Sequence, residues 1–423
     1  MSGFESDKRE LRVLFLDMNS YFASVEQQEH PELRGKPIIV APMANDSTVA
    51  IAASYEAKAY GIKTGTRVGD AKRMCPDLQV VGSGHHLYTA YHNRILEVVE
   101  TVLPIDKVRS VDEMQFRLLG VEKRPDEAER LAHRIKRAIY DGVGECLRCS
   151  VGVAPNAFLA KVATEMQKPD GLVIIQEHEL PQRLECLKLT DFPGINRKML
   201  ARLQAKGIFS TADMLAKSAA DLKKAFGSII GERWWYLLRG YELEYEENPQ
   251  QALSHSHILR PDLRTDEGAH KVLLRLTQKA AARLRSNGWA TRAVSIYVAG
   301  KRGWEAHRRT PAIQDSVHIG EFVAEMWASR DFEGPTQAGI VLGNLTTKAD
   351  TTPSLFDNHP EWEDFSTAVD KVNQKFGKNK VFLAALNEAK DTAPERIAFH
   401  KTELFVEGKG DHDDETIQTK WNT

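Results

Sequence analysis

Val13-Leu14-Phe15-Leu16 is an unbroken apolar run that stops at Asp17. Such a run suits a buried strand whose end carries a carboxylate. A helical stretch from about Ser20 to Gln28 follows, then strand-like runs at Pro37–Val40 and Val49–Ala52. Leu87, Tyr91, Ile95, Val98, Val99 and Val102 recur at three and four residues, which predicts a helix stopped by Pro104. Val108–Leu118 reads as a strand. Ala128, Leu131, Ile135 and Ile139 mark an amphipathic helix that Gly142 is placed to end. Val151–Val153 is a strand and Asn156–Met166 a helix. Strands alternating with helices make the first 175 residues an α/β or α+β unit.

At 423 residues the chain has room for roughly three domains of about 150 residues. A hydrophobic content of 42% excludes a disordered chain, and four cysteines cannot form a disulfide framework in a chain of this length. A reducing, cytoplasmic setting is therefore expected. The charged start MSGFESDKRE lacks the apolar region of a signal peptide, and no apolar stretch approaches the ~20 residues that span a bilayer. Short helices and glycine turns run from about Leu184 to Gly240, and the acidic stretch Glu242–Gln250 reads as a linker. Mixed elements return from Ala252 to Leu345, and an amphipathic helix at Phe365, Val369, Val372 and Phe376 follows a polar, proline-bearing stretch. Net charge is only −2, but its distribution is uneven. Between Arg260 and Arg309 there are 12 Lys/Arg against 4 Asp/Glu, and from Thr347 onward 10 against 15. A basic surface and an acidic tail on different modules are expected, although charge runs are commonly no more than solvated faces.

Asp17, Asp112 and Glu113 are candidate magnesium ligands, since this hard cation takes carboxylate oxygens and keeps waters for substrate phosphates. A regular pleat sends Asp112 and Glu113 to opposite faces, so both reach one site only at a strand end, turn or bulge. Taken by themselves, the three read better as surface acids.

Four segments in order carry a more specific signal. Leu16-Asp17-Met18-Asn19-Ser20-Tyr21-Phe22-Ala23-Ser24-Val25-Glu26 resembles the opening motif of Y-family DNA polymerases, and Ser110-Val111-Asp112-Glu113 their second carboxylate motif. Ser54-Tyr55-Glu56-Ala57-Lys58-Ala59-Tyr60-Gly61-Ile62 is similar to the fingers segment that meets the incoming triphosphate. Ser150–Asn156 through Lys161, then Lys168-Pro169-Asp170-Gly171, resembles the closing palm motif. The resemblance covers about residues 10–345 and is nearest the bacterial DNA polymerase IV and UmuC group.

This resemblance implies a multidomain α+β right hand. The palm, with a mixed sheet, would take residues 10–22 and 80–175, and small fingers 23–79. A helical thumb with a helix-hairpin-helix would take 176–245, an α/β little finger 252–346, and an acidic tail 347–423. It implies template-directed, low-fidelity DNA synthesis across damaged bases, with primer-template DNA and dNTPs as partners. Asp17, Asp112 and Glu113, with the Met18 carbonyl, would hold two Mg²⁺ ions, for which Mn²⁺ can substitute. Phe22 matches the steric gate against a 2′-hydroxyl, and its plainer alternative is a core aromatic. Tyr21, Tyr55, Lys58 and Lys161 match positions around the dNTP.

The sequence departs from the family pattern in several places. Lys58 stands where arginine is common, giving a point charge instead of a bidentate fork. Ala52 replaces a threonine of some relatives, and Asn19 an aspartate not expected to be an essential ligand. Phe192-Pro193-Gly194-Ile195-Asn196 looks like the hairpin that offers backbone amides to a DNA phosphate, with Asn196 for its second glycine, and a plain helical turn is the alternative. Trp289 and Trp304 interleave with the basic residues but read as core. Thr352-Pro353-Ser354-Leu355-Phe356 resembles the peptide that docks on a sliding clamp, with Thr352 for the usual glutamine; Leu355 and Phe356 would be the anchors, or would tuck the tail onto this chain. A monomer without membrane contact is expected. The competing function is a non-catalytic polymerase homologue that recruits other bypass proteins. A palm-based nucleotidyl cyclase is a further alternative.

Overall fold

The computed structural model describes residues 10–43, 45–243, 251–350, 359–377, 380–389 and 392–393. They form two compact units, within Met1–Tyr245 and Glu246–Arg396.

In the first unit β1 (Val13–Met18) leads into α1 (Tyr21–Glu29). A small outlying sheet follows, built from β2 (Ile38–Ala41), β3 (Ala52–Ala53) and β4 (Gln79–Gly82). Between its strands lie the short helices α2 (Tyr55–Ala59) and α3 (Val68–Met74). The chain then runs through α4 (His85–Glu100), β5 (Ile105–Val108), β6 (Glu113–Arg117) and α5 (Pro125–Gly142). It closes the main sheet with β7 (Cys149–Ala154), α6 (Ala157–Met166) and β8 (Leu172–Ile174). That sheet has the order β5-β6-β1-β7-β8, antiparallel except for the parallel pair β7–β8.

β1 sits at the centre of the sheet, and every residue of it is buried. One face packs Leu14, Leu16, Met114, Phe116 and Val151 against α4 and α5 through Ile95, Val99, Leu131 and Ile135. The other packs Val13 and Phe15 against α6 through Leu159 and Ala163. α6 lies unusually close to the sheet. A Cβ on Gly152 of β7 would stand 2.1 Å from the Ala160 carbonyl oxygen, so only glycine admits this approach.

Four helices complete the unit: α7 (Arg197–Gln204), α8 (Thr211–Leu215), α9 (Ala219–Phe226) and α10 (Ile229–Leu237). Phe158 of α6 packs on Trp234 of α10, ring centroids 4.8 Å apart. Asn156 caps α6 by accepting from Leu159 N–H, and its amide donates to the carbonyls of Leu237 and Tyr241. The segment singled out as a hairpin turns at Gly194, whose φ is +100°, and Asn196 caps α7 by accepting from Met199 N–H. Asparagine at this position thus does the work of a helix cap.

The second unit is a sheet of β9 (Ala252–Ile258), β10 (Trp289–Arg302), β11 (Trp304–Ile313) and β12 (Glu333–Gly343), in the order β11-β10-β12-β9. α11 (Asp266–Ser286) and α12 (Ser316–Trp327) cover it. Val272, Leu276 and Leu284 of α11 meet Val294, Ile296 and Ile340 of the sheet, and Trp289 and Trp304 pack at the edge of this core. β13 (Thr346–Thr347) adds a short pairing to β10, and α13 (His359–Phe376) docks beside α11 and α12. α13 buries Val369, and an ion pair joins it to α11: the Arg285 guanidinium takes both oxygens of Asp370 and also donates to the Gln314 carbonyl and Ser316 hydroxyl. Among the described residues no helix is long and apolar enough to cross a membrane. Leu355 and Phe356 lie outside the described residues.

Candidate active site

The main sheet gathers the acids. Asp17 is the fifth residue of β1 and lies directly across from Glu113, the first residue of β6. Asp112 immediately precedes that strand, and its carbonyl accepts from Met18 N–H at 2.9 Å. β6 begins at Glu113, so the pleat does not separate the neighbouring acids. A strand end is one of the arrangements, with a turn or a bulge, that the sequence left open, and the stretch Val108–Leu118 read as one strand is broken between β5 and β6.

Two lysines neutralise the acids. Lys161 projects from α6, and its ammonium bridges Asp17, Glu113 (2.9 Å) and Glu165 (3.0 Å). Lys168, in the turn between α6 and β8, reaches Asp17 Oδ1 and Glu165 Oε1, each at 2.8 Å. Burial works against charge on both lysines. The surrounding carboxylates, Asp17 first, outweigh it and hold each ammonium above its ordinary pKa. The Glu165 carboxyl stays below the usual range despite its own burial, because both lysines face it.

Asp112 behaves differently. Burial pushes its carboxyl up to about 6; the Ser110 hydroxyl opposes the rise, Asp17 and Glu113 add to it, and Lys161 again opposes it. In the unfolded chain this group titrates near about 4, so between those values the folded protein binds the extra proton. Asp112 therefore costs stability as pH rises through that window. Asp112→Asn is expected to raise Tm at pH 7.5 in EDTA, with the gain shrinking as pH falls toward 4.5. Thermal denaturation of both proteins across this range checks it, and a pH-independent difference would contradict the assignment.

Ser20 connects the acids to the small sheet. Its φ of +50° turns the chain between β1 and α1, and its hydroxyl accepts from the Lys58 ammonium at 2.7 Å. Lys58 also lies over the Tyr55 ring, 4.3 Å from the centroid. Burial and then the neighbouring Lys168 hold the Lys58 ammonium below its usual pKa. Tyr55, hydrogen-bonded with Ser20, is raised chiefly by burial. Lys58, Lys161 and Lys168 thus converge from three separate segments.

The gate candidate is packed into the core. Phe22 is 5% exposed and stacks on Tyr88 of α4 with centroids 4.3 Å apart. Tyr88 is itself fixed, its hydroxyl donating to Glu26. The Tyr21 hydroxyl donates inward to the Tyr88 carbonyl at 2.7 Å, so that hydroxyl is not brought to the lysines. Lys168 and Glu165 belong to the cluster, yet the sequence singles out Lys168 only as part of the closing palm motif and Glu165 not at all. The usable signal was spacing: Lys161 and Glu165 stand four apart on one side of α6, and Lys168 follows three residues later in the turn beyond its end.

Sequence models of the impB/mucB/samB family match residues 16–165, and those of its C-terminal domain residues 250–355. DNA polymerase IV of Moorella thermoacetica is 30% identical over 383 residues, spanning 88% of this chain and 95% of its own. The chain belongs to the impB/mucB/samB family. DNA polymerase IV of Staphylococcus saprophyticus is 26% identical, spanning 82% of this chain and 99% of its own. Among solved structures, a Y-family DNA polymerase chimera aligns over 80% of this chain and 100% of its own with a TM-score of 0.64 at 22% identity. DinB from Sulfolobus solfataricus aligns over the same shares with a TM-score of 0.53 at 25% identity. This family member is a DinB-like Y-family polymerase, a DNA-directed DNA polymerase of translesion synthesis. The recruiting homologue without catalysis is not favoured. Y-family polymerases depend on divalent metal, and the donor set fits one: Asp17, Asp112 and Glu113 offer hard oxygens at adjoining strand ends, and the first and last already hold a cation between them. Among the described residues no three acidic, histidine or cysteine side chains converge closely enough to ligate one ion together.

Proposed function

We propose that nucleotide addition takes place over the β1–β6 strand ends, carried by the convergence of three carboxylates and three lysines. Asp17, Asp112 and Glu113, with the Met18 carbonyl, would hold two Mg²⁺ ions. When bound, such ions steady the attacking and leaving oxygens of an in-line displacement. Lys58 and Lys161 bind the triphosphate with Tyr55, and Lys168 joins them. Their ammonium groups supply positive charge from three sides without a bidentate fork, so affinity comes from number more than from geometry. Tyr21 contributes through its backbone, because its hydroxyl is engaged in the core. Phe22 excludes the 2′-hydroxyl. Residues 10–22 and 80–175 act as the palm, 23–79 as the fingers, 176–245 as the thumb and 252–346 as the little finger. The basic stretch Arg260–Arg309 grips primer-template phosphates without reading sequence. We place the enzyme in the cytoplasm as a monomer.

Primer extension with one dNTP at a time tests the reading. Template-matched single additions in Mg²⁺ are expected, and bound primer-template with no addition in Mg²⁺ or Mn²⁺ would overturn it.

Leu355 and Phe356 anchor a weak sliding-clamp contact in this reading. Two apolar side chains entering one pocket suffice when tethering raises the local concentration at the primer end. Replacing both with alanine is expected to abolish stimulation by a loaded clamp, with Tm and unassisted extension unchanged. Full stimulation in the double variant would remove the anchors. A lowered Tm with depressed extension would assign the pair to this chain's own packing.

A further inference from the structure

Asn19 follows the Asp17-Met18 pair and is 2% exposed, yet its side chain makes no contact with the acids. Its Oδ1 accepts from Asp170 N–H at 2.7 Å, and its Nδ2 donates to the Ser150 hydroxyl at 3.0 Å. Ser150 Oγ in turn reaches the Gln167 carbonyl (3.3 Å) and Gly171 N–H (3.4 Å). One amide therefore ties the end of the central strand to both legs of the 167–171 turn.

That turn is held from outside as well. The Lys136 ammonium binds the carbonyls of Asp170 and Gly171 and the Asp170 carboxylate, and Arg148 reaches the same carboxylate at 3.3 Å. The turn is tight: a Cβ on Gly171 would lie 1.8 Å from the Gln167 carbonyl oxygen. Its second residue is Lys168, whose ammonium stands 2.8 Å from Asp17. A lysine side chain is long and loses much rotamer freedom on ordering, so its value at a site depends on where the backbone starts it.

We propose that Asn19 is a positioning residue for the incoming nucleotide, setting the 167–171 turn so that Lys168 meets the triphosphate. The inference rests on the reading of Lys168 as a triphosphate contact. The Asn19 amide does this without adding charge, accepting from a backbone N–H and donating to a hydroxyl.

The test is a cycle of wild type, Asn19→Ala, Lys168→Ala and the double variant. The correct dNTP is titrated onto each protein bound to dideoxy-terminated primer-template, so that Kd is read without chemistry; the maximal addition rate is measured separately on extendable primer. Lys168→Ala is expected to raise the dNTP Kd about 10- to 100-fold by loss of a charge-assisted contact. Asn19→Ala is expected to raise it about tenfold alone but no more than about twofold in the Lys168→Ala background, the pattern of two residues acting as one. The maximal rate should change less than Kd. If Asn19→Ala folds poorly, the polar Asn19→Ser, too short to keep the contact with Asp170 N–H, takes its place, with at least about fivefold expected alone and the same collapse in the double variant. Equal factors in both backgrounds, or an unchanged Kd for the residue 19 variant while Lys168→Ala is impaired, would overturn the inference alone. An unchanged Kd in Lys168→Ala would overturn the triphosphate reading and the inference with it.

Discussion

Single-turnover extension by Asp17→Ala, Asp112→Ala or Glu113→Ala is expected to fall about a thousandfold or more, because each removes a carboxylate from the set proposed to hold the metal. Binding of primer-template should survive in all three. The positive charge that meets DNA phosphates lies on other residues, and deleting an acid among Lys58, Lys161 and Lys168 only makes the region more positive. The variants should separate in stability. Asp17 is the common partner of Lys161 and Lys168, so Asp17→Ala leaves two half-buried ammonium groups short of a counter-charge and should lower Tm. Asp112 carries a carboxyl already pushed up by burial, and its removal should not lower Tm at neutral pH. Rapid-quench extension beside equilibrium DNA binding checks the first pair of claims. Near-normal addition by any one variant would take that residue out of the site.

The second large effect belongs to Phe22. Its ring stacks on Tyr88, whose hydroxyl donates to Glu26 and whose backbone carbonyl accepts from the Tyr21 hydroxyl, and a ring so held is what the proposed gate needs. Phe22→Ala is expected to raise the rNTP/dNTP ratio of incorporation efficiencies about 100-fold, leaving dNTP incorporation within about tenfold of wild type. Truncating so buried a ring should also cost about 3–5 kcal/mol of stability. Phe22→Leu keeps more of the packing and should show a smaller rise in the ratio with a milder drop in Tm. An unchanged ratio in both variants, with the stability loss intact, would leave Phe22 a core residue only.

The two readings of Phe22 were open in the sequence because the ring is in the core and also lies one turn from Asp17. A five-residue spacing after an acid cannot separate them. The acids were more legible. An apolar run cut by Asp17 marked the strand, and the impossibility of two neighbours sharing one pleat face asked for a strand end, turn or bulge at Asp112 and Glu113, where β6 begins. Lys168 was hard to see because a lysine in a polar Lys-Pro-Asp-Gly turn reads as solvated. Only the fold, with the turn pinned to Asn19, shows where that lysine goes. The docking of α13 was illegible for another reason. Its amphipathic stripe is plain in the sequence and Val369 of that stripe is buried, but the partner of Asp370, the Arg285 guanidinium 85 residues earlier, is not plain there.

Extension past a single abasic site, with all four dNTPs and Mg²⁺, tests the account most directly when wild type is run beside Asp112→Ala. The account predicts that wild type inserts opposite the site and continues, in short additions that also proceed on undamaged template, and that Asp112→Ala binds the same DNA and adds nothing. Binding without insertion by wild type, or equal insertion by both proteins, would contradict it.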